Sequence, residues 1–162
     1  MRLHCEHDIP LDAEFFWAHI HASVYEEMSA EAIGLLEYTE VERSENDESI
    51  YRKIRVVPGM PDGLHSLLRT MGGGQRVSYF EEQWRSKVVR EVRWKITPGV
   101  MADRIRVEGV VRVEPVGDAR CRRILDGAVR VRLPGVGTLI ERTIVENTVA
   151  AYAAHALVAA RL

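Results

Sequence analysis

Apolar and polar positions alternate with period two through much of the second half of the chain. The alternation covers residues 77–85, 88–97, 104–114 and 121–133. One face collects Phe80, Trp84, Val88, Val92, Trp94, Ile96, Ile105, Val107, Val111, Val113, Leu125, Val129, Val131 and Leu133. The other collects Glu91, Arg93, Lys95, Arg104, Arg106, Glu108, Arg112, Arg130 and Arg132. This pattern predicts antiparallel strands with one wet face and one apolar face. Pro98-Gly99, Pro115 to Asp118 and Pro134-Gly135 supply the turns. From Thr138 to Leu162 neither Gly nor Pro occurs, and small and apolar residues dominate, which predicts one long helix. Its apolar stripe must be buried against the sheet. A curved sheet gripping one helix leaves a cavity between the two.

The first half supplies the remaining elements. Leu3 to Ile9 reads as a strand, and Asp12 as the cap of a short helix carrying Phe15, Phe16, His19 and Ile20. Ser29 to Gly34 reads as a second short helix, with Ser29 as its cap and Gly34 as its stop. Leu36 to Arg43 and Ile50 to Val57 read as a hairpin around the polar turn Ser44 to Asp47. In the segment 60–75, Leu64, Leu67, Leu68 and Met71 follow i, i+3, i+4, i+7 spacing, about two helical turns, before Gly72-Gly73-Gly74. The order is strand, two helices, about six strands and a long helix. The expected class is α+β: a curved antiparallel sheet wrapped around a C-terminal helix, as a single domain over residues 1–162.

Composition narrows the class. With 162 residues, 46% hydrophobic and 28% charged, a soluble globular protein is expected. No apolar run is long enough to span a bilayer, and no signal peptide is visible after Met1. Cys5 and Cys121 match no disulfide framework and no metal or redox motif, so a reducing, cytoplasmic setting is expected. Net charge is only −2, yet residues 1–50 hold thirteen acids against two bases, and residues 85–132 hold thirteen bases against six acids. Two readings are open: a bipolar surface for a polar partner, or acidic and basic strands that pair with each other. The basic strands lack interleaved exposed aromatics, so nucleic-acid binding is not expected. The spacing of the six His matches no zinc site, and no cofactor motif occurs.

This order of elements resembles the helix-grip fold of the START-like (SRPBCC) superfamily, over essentially the whole chain. The chain is also similar to an uncharacterised bacterial START-like family that pairs a Glu-x-Trp-like strand with a Pro-x-x-Gly turn before the last helix. The matching pieces are Tyr79-Phe80-Glu81-Glu82-Gln83-Trp84 and Leu133-Pro134-Gly135-Val136-Gly137, followed by Ile140-Glu141. A weaker likeness is to the PRELI-type phospholipid carriers. The superfamily includes lipid carriers, hormone receptors, polyketide cyclases, aromatase-like enzymes and chaperone cofactors, so fold membership alone does not decide function.

Several polar residues interrupt the apolar face. Alternation turns Arg52, Glu82, Arg90 and Arg123 inward. A buried guanidinium is costly unless paired, and one carboxylate among three leaves excess positive charge. A ligand with an anionic head group would relieve it. Alternatively, the arginines sit at strand ends, reach solvent and pair with Glu82. Phe80, Trp84, Trp94 and Tyr152 are candidate walls, and His155 on the last helix is a candidate pocket residue. Met60, Leu64, Leu67, Leu68 and Met71 form a candidate lid that would touch a membrane during ligand exchange; the alternative is an ordinary short helix docked on the sheet edge. No nucleophile motif occurs, so any catalysis would be general acid–base work by Glu82, Tyr152 or His155. The leading expectation is binding, and transport, of a hydrophobic or amphipathic small molecule such as a lipid. The alternatives are a small cyclase or hydratase using the same cavity, and an interaction module using the charge split. Oligomeric state is open.

Overall fold

The computed structural model describes residues 1–59 and 78–162. The candidate lid residues Met60, Leu64, Leu67, Leu68 and Met71 lie outside the described residues. The chain begins with β1 (Arg2–Ile9), which Pro10 ends. Asp12 then starts α1 (Ala13–His19), its carboxylate accepting the Glu14 and Phe15 backbone N–H groups at 3.0 and 3.1 Å. The second helix departs from expectation. α2 spans Ser23–Ala32, six residues longer at its start, with Ala22 at its cap and no side-chain cap bond. Ser29 lies inside the helix, where it and Tyr25 share a buried face one turn apart. Packing of that face, with the Tyr25 hydroxyl donating to the His155 carbonyl at 3.2 Å, sets the helix rather than a cap. Gly34 ends the segment with φ of +70°, a conformation that costs glycine little.

Next come β2 (Leu35–Glu45) and β3 (Ser49–Pro58). The Asn46 side chain shapes their turn, accepting the Glu48 and Ser49 N–H groups at 2.9 Å each. β4 (Tyr79–Ser86), β5 (Glu91–Pro98), β6 (Ile105–Pro115) and β7 (Cys121–Val131) follow, and α3 (Gly137–Ala159) closes the chain. Among the described residues the strands form one seven-stranded antiparallel sheet in the order β1-β7-β6-β5-β4-β3-β2. This is the helix-grip arrangement, α+β with two short helices early and one long helix at the end.

The sheet grips α3 at two places. Ile140 and Ile144, near the start of α3, pack with Leu3, Ile105, Val107, Leu125 and Val129. Val158 and Ala159, at its end, pack with Ile9, Phe16, Tyr25, Val113 and Cys121. Between these clusters α3 presents Ala150, Ala151 and Ala154, which are too short to fill the space above the sheet. Opposite them, Gly109 and Gly127 pair across β6 and β7. A Cβ on Gly109 would stand 2.7 Å from the Asp126 carbonyl oxygen and 2.9 Å from the Trp94 ring. Glycine there leaves room for the Trp94 ring to approach the strand closely.

The acidic and basic stretches meet through the fold. Arg122 of β7 binds Asp8 of β1 at 2.8 Å, Lys87 binds Glu45 at 2.7 Å, and Arg90 binds Glu14. Pairing between neighbouring strands and helices thus absorbs much of the charge split.

Candidate functional site

The gap between the two clusters is a pocket of about 670 Å³. Its walls come from α2 (Tyr25, Glu26, Ser29), β2 and β3 (Tyr38, Arg52, Val56), β4 (Tyr79, Glu81, Gln83), β5 to β7 (Val92, Trp94, Ile96, Ile105, Val107, Val111, Arg123), and the middle of α3 (Ile144, Ala151, Tyr152, His155). The structure therefore brings Arg52, Trp94, Arg123, Tyr152 and His155 of the sequence candidates together around one space.

Phe80, Glu82 and Trp84 are placed otherwise. Register pairs Arg52 with Gln83 and Lys53 with Glu82, so Tyr79, Glu81 and Gln83 share the pocket face with Arg52. Phe80, Glu82 and Trp84 stand on the opposite face. There Lys53 lies 4.6 Å over the Phe80 ring, the Tyr51 and Trp84 rings meet tilted with centroids 5.5 Å apart, and the Tyr51 hydroxyl donates to Glu82 at 3.0 Å. Glu82 therefore does not counter the arginines of the pocket; a one-residue change of phase inverts every side chain of a strand. Arg90 is also outside the pocket. It lies between β4 and β5, where period two has no meaning, donates to the Val113 carbonyl at 3.1 Å and pairs with Glu14. Val88, in the same turn, is 80% exposed.

The pocket has two polar regions. At one, Arg52 is 3% exposed; its Nε donates to Gln83 at 2.8 Å, one terminal nitrogen pairs with Glu26, and the other lies 3.7 Å from Glu40. Burial opposes its charge, but the Glu26 bond and the surrounding anionic groups hold its pKa above the ordinary arginine value. Gln83 passes the network on by donating to Glu81 at 2.6 Å. Burial pushes the Glu81 carboxyl up, against the opposing effects of the Gln83 bond and Arg52. Burial also raises Tyr38 well above the usual phenol, helped by nearby Glu81. His21 is held well below the usual imidazole value by burial, then by Arg52, Arg85 and Arg43.

At the other region Arg123, also 3% exposed, donates to the Tyr25 hydroxyl at 3.2 Å and the Tyr152 carbonyl at 2.5 Å. Its guanidinium lies 4.7 Å over the Tyr152 ring. His155 stands beside it, its pKa lowered to about 4 by burial and then by the Arg123 charge. Burial raises the pKa of Tyr25 and of Tyr152. Among the described residues, Trp94 Nε1, Arg123 Nε and His155 Nε2 are buried without a hydrogen-bond partner. All three belong to residues lining this pocket, where a bound molecule would meet them.

Sequence reasoning did not find Tyr25, Glu26, Tyr38, Glu81 or Gln83. Tyr25 and Ser29 carried a usable signal, their i, i+4 spacing. Glu81 and Gln83 carried one only through Arg52, an inward arginine that needed a partner on the next strand. Among the described residues no cluster of three or more His, Cys, Asp or Glu side chains is placed to hold a metal ion, and no helix is long and apolar enough to cross a membrane.

A sheet gripping one long helix over such a pocket defines the START-like class of fold, and solved structures share it. An aromatase/cyclase from Streptomyces sp. R1128 superposes with a TM-score of 0.67 at 16% identity, covering 99% of this chain and 95% of its own. Norcoclaurine synthase from Thalictrum flavum gives 0.69 at 13% identity, with 99% and 84% coverage. A START superfamily protein from Mycobacterium smegmatis gives 0.58 at 13% identity, with 93% of each chain covered. At these identities the likeness is one of fold. The chain itself belongs to the family described as Protein of unknown function (DUF2505), whose profile matches residues 4–162. No curated protein matches the sequence.

Proposed function

We propose that residues 1–162 act as one START-like domain that binds, and carries, a hydrophobic or amphipathic small molecule such as a lipid. The observation that carries this reading is the pocket of about 670 Å³ between α3 and the sheet, walled largely by aliphatic and aromatic side chains with a few polar groups among them. Pockets of this size and character are the usual form of small-molecule sites. Two unpaired cysteines agree with a cytoplasmic setting. Native mass spectrometry of the purified protein, followed by organic extraction, tests the reading. A defined mass shift that yields a lipid or organic acid supports it. An apo mass that stays unchanged after incubation with fatty acids, lipids and apolar dyes refutes it.

A second reading rests on Glu81. Its carboxyl lines the pocket with its pKa raised by burial, beside Tyr38, as a general acid–base group would require. Two of the similar structures are an aromatase/cyclase and a synthase. An enzyme of cyclase or hydratase type acting on an aromatic or polycyclic substrate would lose turnover in Glu81→Gln while keeping ligand affinity. A carrier would show no turnover in either form.

A further inference from the structure

Two guanidinium groups are buried against the pocket, and their surroundings differ in charge. Glu26 and Glu40 both stand within ion-pair distance of Arg52. Arg123 is just as buried, but its partners among the described residues are all neutral: the Tyr25 hydroxyl, the Tyr152 carbonyl and the Tyr152 ring. Its Nε has none. A guanidinium carries five N–H donors, and the hydrogen bonds to Tyr25 and Tyr152 use two of them, leaving three for other partners. An uncompensated buried charge costs several kcal/mol, so a protein that retains one has a use for it.

We propose that Arg123 is the anion-binding residue of the pocket, and that the ligand is an amphiphile whose single carboxylate seats against it. This deepens the binding reading given above and rests on it. The charge balance selects a monoanion. Arg123 contributes one unpaired positive charge, and the depressed basicity of His155 leaves that neighbour neutral at physiological pH. A phosphate monoester dianion would leave one negative charge buried with no second free cation among the described residues lining the pocket, because Arg52 is already paired with carboxylates. Arginine matches carboxylate geometry with paired N–H groups, and a neutral His155 with its proton on Nε2 adds a further donor. The apolar tail would then run along Val107, Val111, Ile105 and Ile144, which line the same space.

The test compares two fluorescent probes at pH 8, 11-(dansylamino)undecanoic acid and its methyl ester, on the wild-type chain and on Arg123→Met and Arg123→Gln. The wild type is expected to bind the acid at least about tenfold more tightly than the ester. Either variant should bring the two affinities together while leaving ester binding near the wild-type value, and Arg123→Lys should restore part of the preference. On the wild type, the acid but not the ester should shift the His155 ring nitrogen signals in ¹⁵N spectra, which a purely structural Arg123 would not produce. Equal wild-type affinities for acid and ester overturn the proposal and leave the pocket-binding reading standing. So does acid preference that survives in both variants. Stronger competition by dodecyl phosphate than by dodecanoate at the same pH would assign the site to a dianion and overturn the carboxylate. Failure of every probe to bind removes the binding reading itself, and this proposal with it.

Discussion

Replacing each buried arginine by methionine separates a structural charge from one kept for a ligand. Arg52→Met leaves the Glu26 carboxylate without its partner, and Glu26 keeps only 18% of its side chain exposed. It also removes the Arg52 Nε–H that donates to the Gln83 side-chain oxygen and weakens the field that opposes protonation of Glu81. Breaking one side of a buried pair costs about 3–5 kcal/mol, and the residual exposure of Glu26 sets the expectation near 3. Arg123→Met strands no carboxylate. The Tyr25 hydroxyl still donates to the His155 carbonyl, and the Tyr152 carbonyl still lies within the α3 hydrogen-bond ladder. Two hydrogen bonds and a cation–π contact are lost, each about 1 kcal/mol, while the desolvation cost of an uncompensated charge, several kcal/mol, disappears. Arg123→Met is therefore expected to change stability by no more than about 1 kcal/mol, or to raise it. Urea unfolding followed by tryptophan fluorescence, with both variants in one buffer, measures the difference. If Arg123→Met destabilises as much as Arg52→Met, the guanidinium is holding the fold together, and the reasoning that assigns it to a ligand fails.

Three further outcomes are expected. His155 has its pKa lowered from 6.5 to about 4, so its neutral form is favoured by folding; the unfolded chain takes up its proton first as pH falls. Its stabilisation is complete above pH 6.5 and lost on acidification towards pH 4, by about 3 kcal/mol in all. His21 and the carboxylates lowered by their ion pairs act in the same direction, so the difference between wild type and His155→Met isolates the term: the variant should lose about that much less stability between pH 7 and 4, measured by urea unfolding at each pH. Gly109→Ala would push a Cβ to 2.7 Å from the Asp126 carbonyl oxygen and 2.9 Å from the Trp94 ring, at a cost of about 1–3 kcal/mol; a lowered melting temperature with an altered near-UV tryptophan signal is expected, and an unchanged melting temperature would contradict the close approach. Asp12→Ala removes both N-cap bonds of α1 and should cost about 1 kcal/mol in urea unfolding, which Asp12→Asn should largely restore.

The legibility of the strands follows from how different their two faces are. On β5, β6 and β7 the outer face is charged and the inner face branched or aromatic, so period two alone identifies Val92, Trp94, Val107, Leu125 and Val129 as interior. β4 offers no such contrast. It places Tyr79, Glu81 and Gln83 on the pocket side and Phe80, Glu82 and Trp84 on the other, and the aromatic residues of the outer face find Lys53 and Tyr51 as partners. Hydrophobicity therefore points the wrong way on this strand, whose pocket face is polar because Gln83 and Glu81 complete the network of Arg52. The second helix shows the same limit. Its start has no capping side chain, so nothing local marks Ser23, and contacts formed after the chain has closed on itself hold the helix in place.

Parity also identified Arg52 and Arg123 as inward, but it could not tell them apart. On the sequence each is an arginine in a strand flanked by apolar positions. What distinguishes them is which distant element crosses each one. α2 brings Glu26 to Arg52 across 26 positions of sequence, whereas α3 brings a backbone carbonyl and an aromatic ring to Arg123 across 29. Whether a buried charge is neutralised thus depends on the path of the chain between the strands, and no local pattern records it. That difference also gives the pocket its polarity: among the described residues, a network rich in carboxylates near β3 and β4, and a cation without a carboxylate partner under α3. A ligand entering with its negative end towards α3 completes the charge balance, while the reverse orientation would set a carboxylate against Glu81 and Glu26. For the proposed ligand this charge pattern would favour one orientation as well as one kind of head group, and Arg123→Met should remove both preferences together.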